Sequence, residues 1–152
     1  MPLVSILSRP PGLAVYGLRI LNHHLAQRLT EALAPQDLTM PQMGILSDVR
    51  RIPGISSAGL ARFRSLTPQT MSEIITGLEK DGLIERRAHG GRVLRLYLTP
   101  AGGAKLHAAI SAAATVEKEM LAGLSPKEQD RFRELLFRCV THLTAGEAER
   151  AS

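Results

Sequence analysis

Residues 65–83 contain the side chains with the most informative chemistry, because small hydrogen-bonding groups are concentrated there. Gln69, Glu73 and Thr76 recur at intervals of three or four residues, so they would share one face of a helix. That face carries an amide, a carboxylate and a hydroxyl, without a large apolar group. Such groups near a helix N-terminus can reach base edges in the major groove of DNA. The stretch therefore predicts non-covalent recognition of base pairs.

Other kinds of chemistry find little support. There is no Ser/His/Asp or Cys/His order and no phosphate-binding glycine loop, so we predict no catalytic residue and no enzyme. Cys139 is the only cysteine, and the five histidines never stand three or four residues apart on one helix. We therefore predict neither a metal site nor a cofactor. His23 and His24 leave two interpretations open: one is exposed and the other is packed or hydrogen-bonded, or they contact a ligand in a pocket.

The hydrogen-bonding face must be positioned by a helix of about 14 residues between Thr67 and Gly82. Thr67 is a good N-cap, Pro68 suits the first helical position, and Gly82 can adopt the left-handed conformation just beyond the end. We call this segment the recognition helix. Its opposite face is apolar and consists of Met71, Ile74, Ile75 and Leu78.

A shorter helix should precede the recognition helix. Ser56 or Ser57 would cap it, and it would run to Phe63 before a tight connection. Two helices joined so closely form a helix-turn-helix. Arg62 and Arg64 flank the turn, where DNA phosphates would pass, although isolated arginines could equally be solvated surface charges.

Beyond residue 82 the apolar pattern changes from helical to alternating. Residues 83–87 and 93–98 are strand-like, and the two glycines within residues 88–92 suit a hairpin turn. This hairpin would form a wing beside the helices. The face that should pack on the helices holds Leu94, Leu96 and Leu98, with Arg95 on the other face.

Four further helices complete the predicted fold. One ends at Pro35, one starts at a capping box of Thr39 and Gln42, one follows Thr99, and the last starts at a capping box of Ser125 and Glu128. The apolar stripes of the first and last helices exceed what one small lobe can cover, so we predict a two-fold homodimer. These stripes contain Leu18, Leu21, Leu25, Leu29, Phe132, Leu135, Leu136, Cys139, Val140 and Leu143. The cysteine would thus lie in a core or an interface.

The predicted fold is mainly α with a small β-hairpin wing: a winged helix-turn-helix with flanking dimerisation helices. One domain would span residues 1–152. It would comprise an N-terminal dimerisation helix at 13–36, the winged helix-turn-helix lobe at 38–100 and C-terminal dimerisation helices at 101–146.

Composition and charge point to a nucleic-acid partner. The 152 residues carry a formal charge of +5, and residues 50–95 hold nine Lys or Arg against four Asp or Glu. A basic region centred on a helix-turn-helix favours a phosphate backbone. The few aromatic residues do not cluster, which argues against stacking on single strands and favours double-stranded DNA. No apolar run approaches the roughly 18 residues of a membrane span, and no signal peptide is recognisable, so we expect a cytoplasmic protein without membrane contact.

The order of these elements, together with several motifs, resembles the multiple-antibiotic-resistance regulator (MarR) family of transcription factors. The motifs are Leu60-Ala61, Leu66-Thr67-Pro68-Gln69-Thr70-Met71-Ser72, Leu78-Glu79-Lys80-Asp81-Gly82-Leu83-Ile84-Glu85-Arg86 and Leu98-Thr99-Pro100-Ala101-Gly102. The resemblance implies a homodimer whose first, fifth and sixth helices interlock. It also implies binding to near-palindromic promoter DNA, usually as a repressor that a small aromatic or phenolic effector releases.

The resemblance completes the set of residues expected to bind DNA. The family's wing carries Asp-x-Arg; here the arginine is Arg92, but Gly90 occupies the Asp position and the loop is about two residues short. The predicted DNA-binding set is Arg62, Arg64, Ser65, Gln69, Thr70, Ser72, Glu73, Thr76 and Arg92. The competing hypothesis is a winged helix that serves as a protein-interaction or dimerisation module without DNA binding, because a fold does not determine a function.

Overall fold

The computed structural model describes residues 12–88 and 93–150. Within these residues the chain forms six α-helices, one short 3₁₀ turn and one small antiparallel sheet. The fold class predicted from the sequence is therefore confirmed. The elements are α1 (Leu13–Leu33), the 3₁₀ turn (Ala34–Gln36), α2 (Met40–Arg51), β1 (Ile55–Ser56), α3 (Ser57–Phe63), α4 (Pro68–Lys80), β2 (Ile84–Ala88), β3 (Leu94–Leu98), α5 (Pro100–Leu121) and α6 (Pro126–Arg150).

Internal contacts divide the chain into two compact units, with the boundary between Val116 and Glu117 inside α5. The first unit contains the winged lobe, and the second contains the end of α5 and all of α6. The expected single domain, with its segments 13–36, 38–100 and 101–146, stays a prediction.

Local capping signals set the helix boundaries as the sequence predicted. Thr39 and Gln42 form the complete capping box of α2, with the Thr39 N–H donating to Gln42 Oε1 at 2.8 Å. Ser56 caps α3 by accepting from the Gly59 N–H at 3.1 Å. Each cap satisfies backbone donors that have no partner inside the helix.

The sheet has three strands in the order β1-β3-β2, whereas the sequence predicted only a hairpin. The hairpin strands β2 and β3 are confirmed, with Ile84 opposite Leu98 and Arg87 opposite Arg95. The additional strand β1 has two residues and pairs Ile55 with Leu96. Two residues are too few to show an alternating pattern, so this strand could not be found from periodicity.

The core of the lobe lies between the helices and one face of the sheet. The apolar face of α4 is buried there at Met71, Ile75 and Leu78, and Leu96 joins it from β3. The prediction that Leu94 packs on the helices is wrong, since this residue is 45% exposed. Leu94 pairs with Ala88 at the end of the hairpin that lies farthest from the core residue Ile84.

Gly102 allows the start of α5 to contact the chain that leaves α4. A Cβ atom at this position would overlap the carbonyl oxygen of Leu83. The same contact is fixed by Thr99, whose hydroxyl donates to the Gly82 carbonyl at 2.6 Å and accepts from the Gly102 N–H at 3.0 Å. The Leu-Thr-Pro-Ala-Gly motif thus joins the end of β3 and the start of α5 to the turn after α4.

The long helices expose much of their apolar surface in the single chain. On α1, Leu18 is exposed and Leu33 is buried. On α6, the exposed large apolar side chains are Leu135, Leu136, Phe137, Val140 and Leu143. Cys139 is exposed as well, so the predicted core position is wrong and the interface position stays a prediction.

Candidate nucleic-acid interface

The N-terminus of α4 is fixed by a network of two threonines. The Thr67 hydroxyl oxygen accepts from the Thr70 N–H at 3.1 Å, as an N-cap does. The same hydroxyl donates to the Thr70 hydroxyl at 2.9 Å. Because the Thr70 oxygen accepts this bond, its own proton remains available to a partner outside the helix.

The outward face of α4 carries the polar side chains that the sequence placed there. The exposed members of the predicted set on this helix are Gln69, Thr70, Ser72, Glu73 and Thr76. The Gln69 Nε2 donates to Glu73 Oε1 at 3.2 Å, which holds the amide in one orientation. The second N–H and the Oε1 of Gln69 therefore remain free, and both would be needed for a bidentate contact with adenine.

The wing strand β2 contacts the same helix through Arg86, a residue to which the sequence alone assigns no role. One terminal nitrogen of its guanidinium donates to the Thr76 hydroxyl oxygen at 3.2 Å. Its Nε lies 3.1 Å from Glu79 Oε2, an ion pair in which the N–H is not aligned for a hydrogen bond. Arg86 thus connects the stem of the wing to the C-terminal half of α4.

The turn between α3 and α4 contains Ser65 in the left-handed conformation, with φ of 52°. The Ser65 N–H donates to the Arg62 carbonyl at 3.2 Å, and the Leu66 N–H donates to the Ala61 carbonyl at 2.9 Å. This pair of bonds is a Schellman motif, which usually has glycine at the left-handed position. The side chains of Ser65 and Arg62 are exposed at this turn.

Arg64 is not a free surface charge. Its Nε donates to Asp48 Oδ2 at 2.6 Å, and Asp48 is 4% exposed on the core side of α2. The guanidinium lies against Gly44, where a Cβ would stand 2.6 Å from a terminal nitrogen. Arg64 therefore joins the turn to α2, and this structural contact corrects the expectation of an isolated arginine. The sequence held a signal, since Asp48 follows the buried Ile45 by three residues.

The outer face of the wing carries further arginines with partners. The Arg87 guanidinium lies 4.6 Å from the centre of the Tyr97 ring and pairs with Glu85. Arg95 donates to the Gly54 carbonyl at 3.1 Å. Arg92 of the predicted set lies outside the described residues, as does Gly90.

Comparison with known proteins tests the resemblance. The model of the MarR family matches residues 38–91. The HTH-type transcriptional repressor Rv2887 of Mycobacterium tuberculosis is 35% identical over 114 residues, which cover 74% of this chain and 82% of that repressor. The chain belongs to the MarR family.

Solved structures agree with membership of the MarR family. The crystal structure of the M. tuberculosis MarR family protein Rv2887 in complex with DNA has a TM-score of 0.76 and 31% identity, covering 87% of this chain and 98% of that chain. The structure of the same protein with salicylic acid has a TM-score of 0.69 and 32% identity, covering 87% and 97%. The resemblance expected from the motifs is confirmed, together with the winged helix-turn-helix.

The two neighbouring histidines of this MarR family chain are both exposed, so the interpretation with one packed histidine is wrong for the single chain. Their ring centres lie 5.5 Å apart. They line a groove on α1 together with Tyr16, Arg19, Ile20, Asn22 and Ala26. The groove brings aromatic, basic and imidazole groups together, and its use by a ligand stays a prediction.

Two further findings concern the described part of this MarR family protein. Across residues 12–88 and 93–150, no cluster of three or more His, Cys, Asp or Glu side chains is arranged to hold a metal ion. None of the helices described there has the length and apolar character needed to cross a membrane.

Proposed function

We propose that this protein, a MarR family transcriptional regulator, binds near-palindromic promoter DNA in a sequence-specific manner as a cytoplasmic homodimer. The observation that carries the proposal is the outward face of α4. There, Gln69, Thr70 and Thr76 are exposed and held by defined hydrogen bonds on the recognition helix of a winged lobe. The DNA complex of the related protein Rv2887 supports a DNA partner.

In this proposal α4 enters the major groove and reads base edges through its outward face. Gln69 offers one donor and one acceptor, which match the N7 and N6 of adenine. Glu73 positions the Gln69 amide and can accept from a cytosine amino group. The exposed side chains of Ser72 and Thr70 lie on the same helix and supply further hydroxyl groups.

Contacts with phosphates would fix the position of α4 in the groove. Arg62 and Ser65 are exposed at the turn that precedes α4, and Arg92 belongs to the wing in the family pattern. The role of Arg64 is indirect, because its guanidinium is bound by Asp48. It maintains the position of the turn that carries Arg62 and Ser65.

We further propose that the protein is a repressor that a small aromatic or phenolic effector releases. The salicylic acid complex of Rv2887 supports an effector of this kind. The groove around His23 and His24 offers a tyrosine ring and an Arg19 guanidinium, and a phenolic acid could use both. The homodimer would cover the apolar side chains that α6 exposes in the single chain.

A selection from random duplex DNA tests this function. Purified protein should enrich duplexes with two related half-sites about one helical turn apart, which follows from two copies of α4 related by a two-fold axis. Salicylate should then reduce binding to the enriched duplex. Failure to enrich any sequence, together with capture of a protein partner through the same lobe, would instead favour a protein-interaction module.

A further inference from the structure

The hydroxyl of Thr76 is held in an unusual way for a threonine in a helix. Thr30, Thr115 and Thr141 each donate their hydroxyl proton to the carbonyl four residues earlier, at distances of 2.8 to 3.2 Å. The Thr76 hydroxyl makes no such bond within the part of the chain that the structure describes. Its oxygen accepts from Arg86 at 3.2 Å instead.

This contact determines what Thr76 can offer to a partner. A hydroxyl has one proton to donate, and a guanidinium has donors only. Because Arg86 donates to the Thr76 oxygen, the hydroxyl proton must point away from Arg86. Thr76 is exposed on the outward face of α4, so that proton is available on the side that would face DNA.

We propose that Arg86 is a positioning residue that makes Thr76 a hydrogen-bond donor in base recognition. This inference rests on the proposed DNA binding. A donor at this position selects base edges with an acceptor in the major groove, such as guanine N7 or O6 and thymine O4, and it discriminates against the cytosine amino group. Thr76 is then a specificity-determining residue, and Arg86 on the wing strand β2 makes its hydroxyl a donor.

The ion pair with Glu79 makes this arrangement stable. Arg86 is 29% exposed, and its Nε lies 3.1 Å from Glu79 Oε2, three residues after Thr76 on the same face of α4. One planar guanidinium therefore contacts two consecutive turns of the helix. Lysine would not hold both contacts, because its single ammonium lacks the fork of donors.

A double-mutant cycle tests the proposal on a duplex selected with the wild-type protein and on a random duplex of equal length. Thr76→Val and Arg86→Met should each weaken binding to the selected duplex by about threefold to tenfold, as expected for one hydrogen bond. The double variant should bind no more weakly than Thr76→Val alone, because Arg86 acts through the hydroxyl that Thr76→Val removes. Binding to random DNA should change little.

Control variants separate this role from a general effect of charge or folding. Arg87→Met removes the same charge from the same strand, but Arg87 stacks on Tyr97, and the full effect of Thr76→Val should persist in that background. Thr76→Ser keeps the hydroxyl and should restore most of the affinity that Thr76→Val loses. If Arg86→Met unfolds in a thermal melt, Arg86→Lys keeps the charge beside Glu79 and replaces it in the cycle.

The outcomes distinguish this inference from the proposed function. If the wild type selects a duplex and the losses of the two single variants multiply, Arg86 does not act through Thr76 and the inference is overturned. Thr76→Ser losing as much as Thr76→Val would overturn it as well. If the wild type shows no preference for any duplex, the proposed function itself fails.

Discussion

The guanidinium of Arg64 and the carboxylate of Asp48 form an ion pair of 2.6 Å that links the end of α3 to the core side of α2. The Asp48 side chain is 6% exposed, whereas that of Arg64 is 32% exposed. Loss of the arginine would leave a buried carboxylate without its partner. The turn that presents Ser65 therefore depends on a contact between residues 16 positions apart.

Arg64→Ala should destabilise the fold by about 2 kcal/mol, below the range for fully buried pairs because about a third of Arg64 is exposed. The variant should bind DNA with the same salt dependence as the wild type. Arg62→Ala is the matched control on the same turn. It should keep the melting temperature of the wild type, and the salt dependence of its DNA binding should fall by the amount expected for about one phosphate contact. Thermal melts and affinities at several salt concentrations measure both. An unchanged melt with a reduced salt slope for Arg64→Ala would show a direct phosphate contact.

Gly102→Ala should destabilise the protein by about 1 to 3 kcal/mol, because the new Cβ would overlap the carbonyl oxygen of Leu83 and force the backbone apart. Gly77 is the matched control, since a Cβ there meets nothing within 4 Å in the interior of α4. Gly77→Ala should stabilise the protein by about 0.5 to 1 kcal/mol through a better helix propensity. Denaturant unfolding measures both changes. Equal effects of the two alanines would argue against the close approach at Gly102.

Substitutions at the two left-handed positions, one after α3 and one after α4, should change the stability of the fold in opposite directions. Ser65→Gly should stabilise the fold by about 0.5 to 1 kcal/mol, because φ is 52° at a residue with a Cβ. Gly82→Ala should destabilise it by about 1 kcal/mol, since φ there is 71°. Chemical denaturation of both variants checks the signs. A destabilised Ser65→Gly variant would mean that the serine side chain makes a contact that outweighs the backbone strain.

The capping of α6 makes a prediction about pH. The Ser125 hydroxyl and N–H donate to Glu128 Oε2 at 2.7 and 2.8 Å, and these bonds lower the pKa of Glu128 from its ordinary value of 4.5. Because the pKa is lower in the folded state, the stability that this cap contributes is complete above about pH 4.5 and is lost as the pH falls through the lowered value. Ser125→Ala should raise the pKa of Glu128 and reduce this pH dependence. An NMR titration of the side-chain carboxyl measures the change, and an unaltered pKa would contradict the hydroxyl bond.

Local signals in the sequence were sufficient for most elements of the fold. Thr67 and Gly82 marked the ends of the recognition helix, and the capping boxes located α2 and α6, because these signals act over three or four residues. The identities of the outward residues on α4 followed from the helical period alone. Site residues on this helix could thus be named before their contacts were known.

Contacts between distant elements could not be predicted in the same way. The pairing of Arg64 with Asp48 and of Arg86 with Thr76 depends on how α2 and β2 pack against the helix-turn-helix. The spacing of apolar residues along the sequence carries no information about that packing. Leu94 is exposed for the same reason. The alternating apolar pattern places it on the inner face of the sheet, but the pattern does not show how far the helices extend along that face.

Whether the outward face of α4 reads base pairs can be decided from the affinity of Gln69→Ala for a selected operator and for random duplex DNA. Gln69 is exposed and held by Glu73, so its truncation should cost about 1 to 3 kcal/mol on the operator and relax discrimination at one position. Affinity for random DNA should remain that of the wild type, whereas Arg62→Ala should lower both affinities. Equal losses on operator and random DNA for Gln69→Ala would show that this face does not read bases.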